Sequence, residues 1–420
     1  MEPERNQPEF PQLYKSAFTY PAIDNHAHPL LRPEHRDHID IPFDGVISEA
    51  GGVALQDSIH TLACYRAASQ LSELYQLEGA SWNDVKTHRS QVDYIDLCKQ
   101  CIKPTGIQCI LLDDGLGLPE LAADYTWHDQ FTHSPTRRIV RIEVVAEGIL
   151  TPIIKEYVEK EDMAIQELFD TFSRRLSETL TRDAIDTNVA GFKSIICYRS
   201  GLDVYPLSDL DGDILRPVLA LVNSYIENKG RIRLNNKFFN DYVVRTALAI
   251  AVMHNKPVQF HTGLGDDDIS LRTSSPSHLQ PLIKAYPKAI FVLLHSSYPY
   301  TREAGYLTSV YRNVYLDFGE VFPFVSGEGQ RSIIKQVIEL SPTNKILWST
   351  DGHWWPESYY LGTVQARQAL YQARIGSYVF SDVVRSRELT EAQAVHIVES
   401  ALFHNANAIY NLGLEPYQGP

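Results

Sequence analysis

Eight short apolar runs, separated by stretches of helical period, limit what this chain can become. They centre near residues 23, 109, 141, 193, 259, 292, 316 and 347. Pro21-Ala22-Ile23 opens the first, and Ile107 to Leu112 forms the second, closing in Asp113-Asp114-Gly115. Arg138 to Val145 alternates charged and apolar residues, which as a strand would put Arg141 and Glu143 on one face. Between the runs, apolar residues recur at helical intervals, as at Ile165, Leu168, Phe169, Phe172 and Leu176. Thr390 and Gln393 form a capping-box signature ahead of a last helix running toward Ile409. Strand and helix alternating eight times predict an α/β fold, a (β/α)8 TIM barrel. A doubly wound open sheet is the competing architecture, but no glycine-rich phosphate loop follows the first strand. With no internal repeat or linker, residues 1–420 are expected to form one elaborated domain. Helical insertions are expected at about 30–105 and 202–256, after a polar lead-in at 1–20 without a clear element.

The ends of these runs carry the chemistry. His26 and His28 end the first strand and, one residue apart, share a face. His261 ends the fifth, His295 the sixth and Asp351 the eighth. In a barrel all these ends open on one mouth, where the active site lies. A buried strand has no structural need to finish in histidine, so the repetition points to function. Imidazoles and a carboxylate suit a zinc-class divalent ion, with manganese or iron also accepted, and leave a position open for water. His26, His28, His261 and Asp351 are the expected ligands. Asp351 is also the expected proton carrier, and His295 either ligates or polarises the substrate oxygen. Arg141, Lys193 and Arg199 are cationic candidates for holding a substrate carboxylate. Trp354, next to Trp355 just past the eighth strand, is a candidate pocket wall.

Net charge is −14, from 38 basic and 52 acidic side chains, with no basic run. That excludes nucleic acid and anionic membrane surfaces as expected partners and leaves a small-molecule substrate, with a homo-oligomer allowed. Five scattered cysteines give no disulfide framework, and the Cys98-Lys-Gln-Cys101 spacing fits a helix better than a zinc or redox site. Met1 to Arg5 lacks the apolar core of a signal peptide, and the apolar run Ala247 to Met253 is too short to span a bilayer. A cytoplasmic protein is expected.

His-x-His after strand one, histidines after strands five and six and aspartate after strand eight together resemble the amidohydrolase superfamily. Phe403-His404-Asn405-Ala406-Asn407-Ala408-Ile409-Tyr410 resembles the terminal helix of its amidohydrolase-related branch. Asp24-Asn25-His26-Ala27-His28-Pro29-Leu30, with Gly191-Phe192-Lys193-Ser194, is similar to the amidohydrolase half of FluG-type fungal proteins. Those proteins carry a glutamine-synthetase-like half behind it, which has no counterpart in these 420 residues. The resemblance implies a metal-dependent hydrolase, here of a C–N bond in a small carboxylate-bearing substrate. Some branches decarboxylate or isomerise from the same site, so a non-oxidative decarboxylase is the alternative, and a non-catalytic scaffold or regulatory barrel a third reading. Two-metal members bridge their ions with a carboxylated lysine or a glutamate from strand four. Lys193 is the lysine at that place, but six residues ahead of Arg199 it is expected to fall short of the mouth. One ion per chain is therefore expected.

Overall fold

The computed structural model describes residues 8–79, 81–160, 163–206, 214–371 and 379–417. Its frame is a sheet of eight parallel strands: β1 (Ala22–Ala27), β2 (Ile107–Asp113), β3 (Arg137–Arg141), β4 (Val189–Ser194), β5 (Val258–Phe260), β6 (Phe291–Leu293), β7 (Val314–Asp317) and β8 (Ile346–Leu347). They pair in chain order, each with the next. Parallel neighbours need a crossover, and helices such as Ile165–Ile185 and Lys237–Met253 supply it on the outside. The backbone beyond β8 closes the ring against β1: Asn25 N donates to Trp348 O (3.2 Å), Asp351 N to His26 O (3.0 Å) and His28 N to Gly352 O (2.7 Å). The (β/α)8 barrel expected from the alternation is what the chain forms.

β1 carries an irregularity that sets up the mouth. Asp24 pairs with Ile110 and Ala27 with Leu112, so Asn25 and His26 together face Leu111, one residue too many. A bulge of this kind puts two consecutive side chains on the same side. Asn25 turns into the barrel, where its Nδ2 donates to Asp317 Oδ1 (2.8 Å), and His26 joins the mouth. The opposite end of the barrel is plugged by the terminal helical segment. Phe403, Ala406, Ile409 and Tyr410 pack there against Ile23, Leu111, Ile139 and Val292.

Two sequence readings are corrected. β3 stops at Arg141, and helix Ile142–Glu159 begins at the next residue, so Glu143 shares no strand face with Arg141. The β-branched run there suits a strand, but its buried set of Ile142, Ala146, Leu150, Ile153 and Ile154 follows the helical period. Glu143 sits in the first turn, where a carboxylate favours the helix N-terminus, and accepts from Ser194 Oγ (2.6 Å) and Ile195 N (3.0 Å). The lead-in also contains a helix, Pro11–Thr19, which opens on proline and buries Leu13 and Ala17. The capping box at Thr390 and Gln393 is present. Cys98 and Cys101 lie on helix Tyr94–Ile102, and all five cysteines are buried and unpaired. Among the described residues no helix is long and apolar enough to cross a membrane.

The stretch at 30–105 folds as short 3-10 turns followed by helices Leu62–Tyr75, Trp82–Gln91 and Tyr94–Ile102. A buried ion pair fastens it to the barrel: Arg89 Nε lies 2.8 Å from Glu357 Oε1, with Tyr75 OH donating to the same oxygen (3.0 Å). Glu357 opens helix Pro356–Tyr371, directly after the loop that follows β8. Removing one partner of such a pair leaves an uncompensated buried charge. Glu357→Leu should therefore lower stability by about 3–5 kcal/mol, seen as a lower urea midpoint, and adding Arg89→Met should recover most of it. Equal midpoints for the parent and Glu357→Leu would contradict this.

Candidate metal centre and its pocket

At the mouth, His26 Nε2 and His28 Nε2 each lie 3.3 Å from Asp351 Oδ1. The two rings are 4.8 Å apart and nearly perpendicular, and His295 stands 5.5 Å from His26. Ligand bonds of roughly 2.0–2.1 Å to a tetrahedral zinc put neighbouring donors about 3.3 Å apart, so this spacing fits one ion. The hydrogen-bond state of the donors fits as well. His28 Nδ1 donates to the Asp113 carbonyl (3.0 Å), which fixes the tautomer and leaves Nε2 with a free lone pair. Both ring nitrogens of His295 and Oδ1 of Asp351 are buried without a hydrogen-bond partner, and a metal would engage the carboxylate oxygen and one of the nitrogens. Burial, with Lys193 nearby, drives the His26 pKa down to about 3, and burial drives those of His261 and His295 well down, so all three imidazoles are neutral, as ligands must be. Burial alone would raise the Asp351 pKa, but His295, His26 and His28 hold it well below the usual carboxylate range.

His26, His295 and Asp351 form one ligand-sized group, and His26, His28 and Asp113 another. His261 joins neither. Its ring packs 4.3 Å from that of His295, but its Nε2 donates to Leu264 O (2.8 Å), leaving only Nδ1 available. The residues expected in the pocket are brought together: Arg141, Lys193, Arg199, His295, Asp351 and Trp354 line one cavity of about 290 Å³. Trp355 turns away, its ring edge-on to Phe43 at 6.2 Å.

Lys193 does not fall short of the mouth. Its Nζ lies 2.8 Å from His26 Nε2, because a lysine's four-carbon stem spans the level that strand position alone leaves open. Burial lowers its pKa to about 8, against the pull of Asp113. Arg141 does not pair with Glu143. Its Nε and Nη2 both bind Asp113 Oδ2, at 2.9 and 2.7 Å. Arg199 is held loosely, with Nη2 3.5 Å from Glu147 Oε1.

Three carboxylates that sequence reasoning missed complete the surroundings. Asp113 ends β2, and its signal was the Asp-Asp-Gly closing that strand. Glu320, just past β7, has Oε2 3.2 Å from His295 Nδ1, and burial together with Asp351 pushes its pKa well up. Glu49 enters the cavity lining from the insertion, where nothing in the local sequence marks it. Backbone strain gathers at the same place. His295, Ser296 and Ser297 run through φ of 68°, 53° and 48°, and Glu320, Asp351 and Trp354 also have positive φ.

Residues 190–412 match the family model described as Amidohydrolase. Protein fluG of Emericella nidulans is 44% identical over 412 residues, which cover 95% of this chain and 46% of that protein. The chain thus spans about half the length of that relative. A Lactobacillus casei protein named as a metal-dependent hydrolase superposes with a TM-score of 0.75 at 24% identity, covering 95% of this chain and 97% of the other. A uronate isomerase of Thermotoga maritima gives 0.64 at 12%, covering 95% and 96%. At these identities the two structures share the fold.

The Asp113–Arg141 pair gives this site a pH signature. Burial would raise the Asp113 pKa, but Arg141, His28 and Lys193 hold it well below the usual carboxylate range. A carboxylate depressed in the folded state stabilises the fold above its unfolded pKa of about 3.9, and this is lost as pH falls through the folded value. Arg141→Met should thus cost about 3 kcal/mol or more near neutral pH. The gap should begin to narrow below about pH 4 and close only as pH falls on toward the folded value. Urea midpoints of metal-free parent and variant across that range check this, and a gap independent of pH would refute it.

Proposed function

The chain belongs to the amidohydrolase family, and on that premise we propose that it is a metal-dependent hydrolase of a C–N bond in a small carboxylate-bearing molecule. Support comes from one arrangement: two imidazole nitrogens 3.3 Å from one carboxylate oxygen, in a cavity that Arg141, Lys193 and Arg199 also line. His26, His28 and Asp351 would hold the ion, with His295 beside them. A zinc-class ion bound there would lower the pKa of water toward neutrality and polarise a carbonyl oxygen.

The chain's own residues supply the rest. Asp351, its pKa held well below the usual carboxylate range, accepts a proton from the attacking water and passes it to the departing nitrogen. His295 faces the substrate oxygen, with Glu320 Oε2 lying 3.2 Å from its Nδ1. Arg199, with Nε unpartnered and only a distant carboxylate at Nη2, is the cation freest to receive a substrate carboxylate. Arg141 keeps Nη1 for the same purpose, since its Nε and Nη2 are committed to Asp113. Trp354 walls the rim. The three cations also favour a second reaction, non-oxidative decarboxylation, in which they hold the acid that leaves as carbon dioxide.

Elemental analysis of protein purified without added metal should give about one zinc-class ion per chain, lost in His26→Ala/His28→Ala. About two ions, with carbon dioxide bound covalently at Lys193, would replace the one-ion site with a bridged pair. Asp351→Asn should lower turnover by about 10³-fold or more on any amide found in a substrate screen, while substrate binding is partly kept. Carbon dioxide among the products would select decarboxylation. A chain that carries no metal and takes up none on reconstitution would leave only the scaffold reading.

A further inference from the structure

Three cations and several carboxylates line the pocket. Arg141, Lys193 and Arg199 are near enough to act on one another: Arg141 disfavours the charged forms of both Lys193 and Arg199. Glu49 stands instead among like charges, facing Asp351 and Asp266. All six line the same cavity. The cations have carboxylate partners, Asp113 for Arg141 and Glu147 for Arg199. Asp351 has the metal-binding imidazoles, and Asp266 accepts a backbone N–H from Asp268 (3.0 Å). Among the described residues Glu49 has no hydrogen bond or ion pair, although it is half-buried.

Its position is built rather than accidental. Glu49 follows the turn Phe43–Ile47, which is clamped from two sides. Phe43 stacks on Trp82 with centroids 5.0 Å apart, and the Arg89 guanidinium covers its ring at 4.2 Å. Gly45 sits so close to Trp355 that an added Cβ would lie 2.8 Å from the indole, so any other residue would push the turn off the loop after β8. The insertion thus holds an unpaired carboxyl group in the lining of a cavity that three cations also line. Burial and the like charges of Asp351 and Asp266 push the Glu49 pKa up to about 8, so its ionised form is disfavoured in the free protein and is restored by a bound opposite charge.

We infer that the substrate is zwitterionic, an amino-acid-type molecule whose carboxylate meets Arg141 and Arg199 and whose ammonium group meets Glu49. This deepens the hydrolase reading and rests on it for the reaction, but not for the binding. Glu49 then selects for the cationic end, and a plain acid or the second carboxylate of a dicarboxylate gains no partner there. The insertion acquires a role as the specificity element.

The test uses the full-length, zinc-loaded protein and matched pairs of small acids with and without a terminal ammonium: 3-aminopropionate and propionate, 4-aminobutyrate and butyrate, 6-aminohexanoate and hexanoate. Dissociation constants come from ligand-observed NMR or calorimetry. In the best-matched pair the amino acid should bind about tenfold tighter. Glu49→Gln should bring that ratio to about one, and Glu49→Lys should invert it. Equal binding within every pair by the parent, or a preference that survives in Glu49→Gln, overturns the inference, the latter assigning the preference to chelation by the metal. Metal content is measured on the same samples. If Glu49→Gln loses metal, Glu49 is a ligand and the inference fails. If the parent holds no metal, the hydrolase reading fails, while the binding ratios still judge Glu49.

Discussion

The seam between β8 and β1 is the constraint on which the rest of this structure depends. Eight strands do not make a barrel until the last meets the first, and β8 has only two residues of regular strand with which to do it. The backbone beyond it takes over, with Asp351 N on His26 O and His28 N on Gly352 O. These same bonds set Asp351 level with His26 and His28, so ring closure and ligand convergence are one event. Strand ends position side chains more accurately than loops do, and here residues more than 300 positions apart in sequence meet at 3.3 Å. The bulge in β1 contributes the other half, rotating His26 into the mouth while Asn25 stays in the barrel.

Above the seam, the mouth is finished by parts that do not belong to the barrel repeat. The loop after β8 presents Trp354 to the cavity and Trp355 to the insertion, and helix Pro356–Tyr371 then supplies Glu357 to Arg89. The loop after β8 and the insertion are therefore braced against each other by an aromatic contact and a buried ion pair a few residues from Asp351. A buried pair contributes little net stability over an apolar replacement, but a broken one is expensive. It works as a registry device: the insertion docks in the one position that satisfies both charges, which is also the position that carries Glu49 to the pocket.

Much of this was legible in the sequence, for stated reasons. Strand count and helix alternation follow from hydrophobic period, and the His-x-His pair, His295 and Asp351 were readable because histidine or aspartate has no packing reason to end a buried strand. The errors share a cause, which is that one-dimensional period does not record where an element stops or how far a side chain reaches. Arg138 to Val145 keeps a strand-like rhythm across a strand-to-helix junction, so Glu143 was put beside Arg141 when Asp113 holds that place. Strand position alone leaves Lys193 short of the mouth, and its long stem makes up the distance. His261, by contrast, stands at the expected strand end, with Nε2 on the Leu264 carbonyl and Nδ1 still available. Glu49 and Glu320 were invisible because only tertiary packing brings them to the cavity.

Beneath the metal site the barrel is not filled with aliphatic side chains alone, and the reason lies in His295. This residue and the two after it hold left-handed backbone conformations, which cost of order 1–3 kcal/mol each for residues with a Cβ. Such a turn persists only if its surroundings over-determine it. Asp317, at the end of β7, does this: its Oδ2 accepts from His295 N (3.1 Å), Gly319 N (3.0 Å) and Ser349 Oγ (3.0 Å), while Oδ1 takes Asn25 Nδ2. Burial raises the Asp317 pKa to about 7 despite these donors. Asn25 is in turn held by Tyr410, whose hydroxyl donates to Asn25 Oδ1 (3.2 Å) from the helix that plugs the barrel floor. A chain of hydrogen bonds thus runs from the plug through Asn25 and Asp317 to the backbone of His295. An apolar layer would pack as well, but it could not fix the backbone angle at which His295 presents its ring, so the polar filling of this barrel is the support of its candidate metal centre.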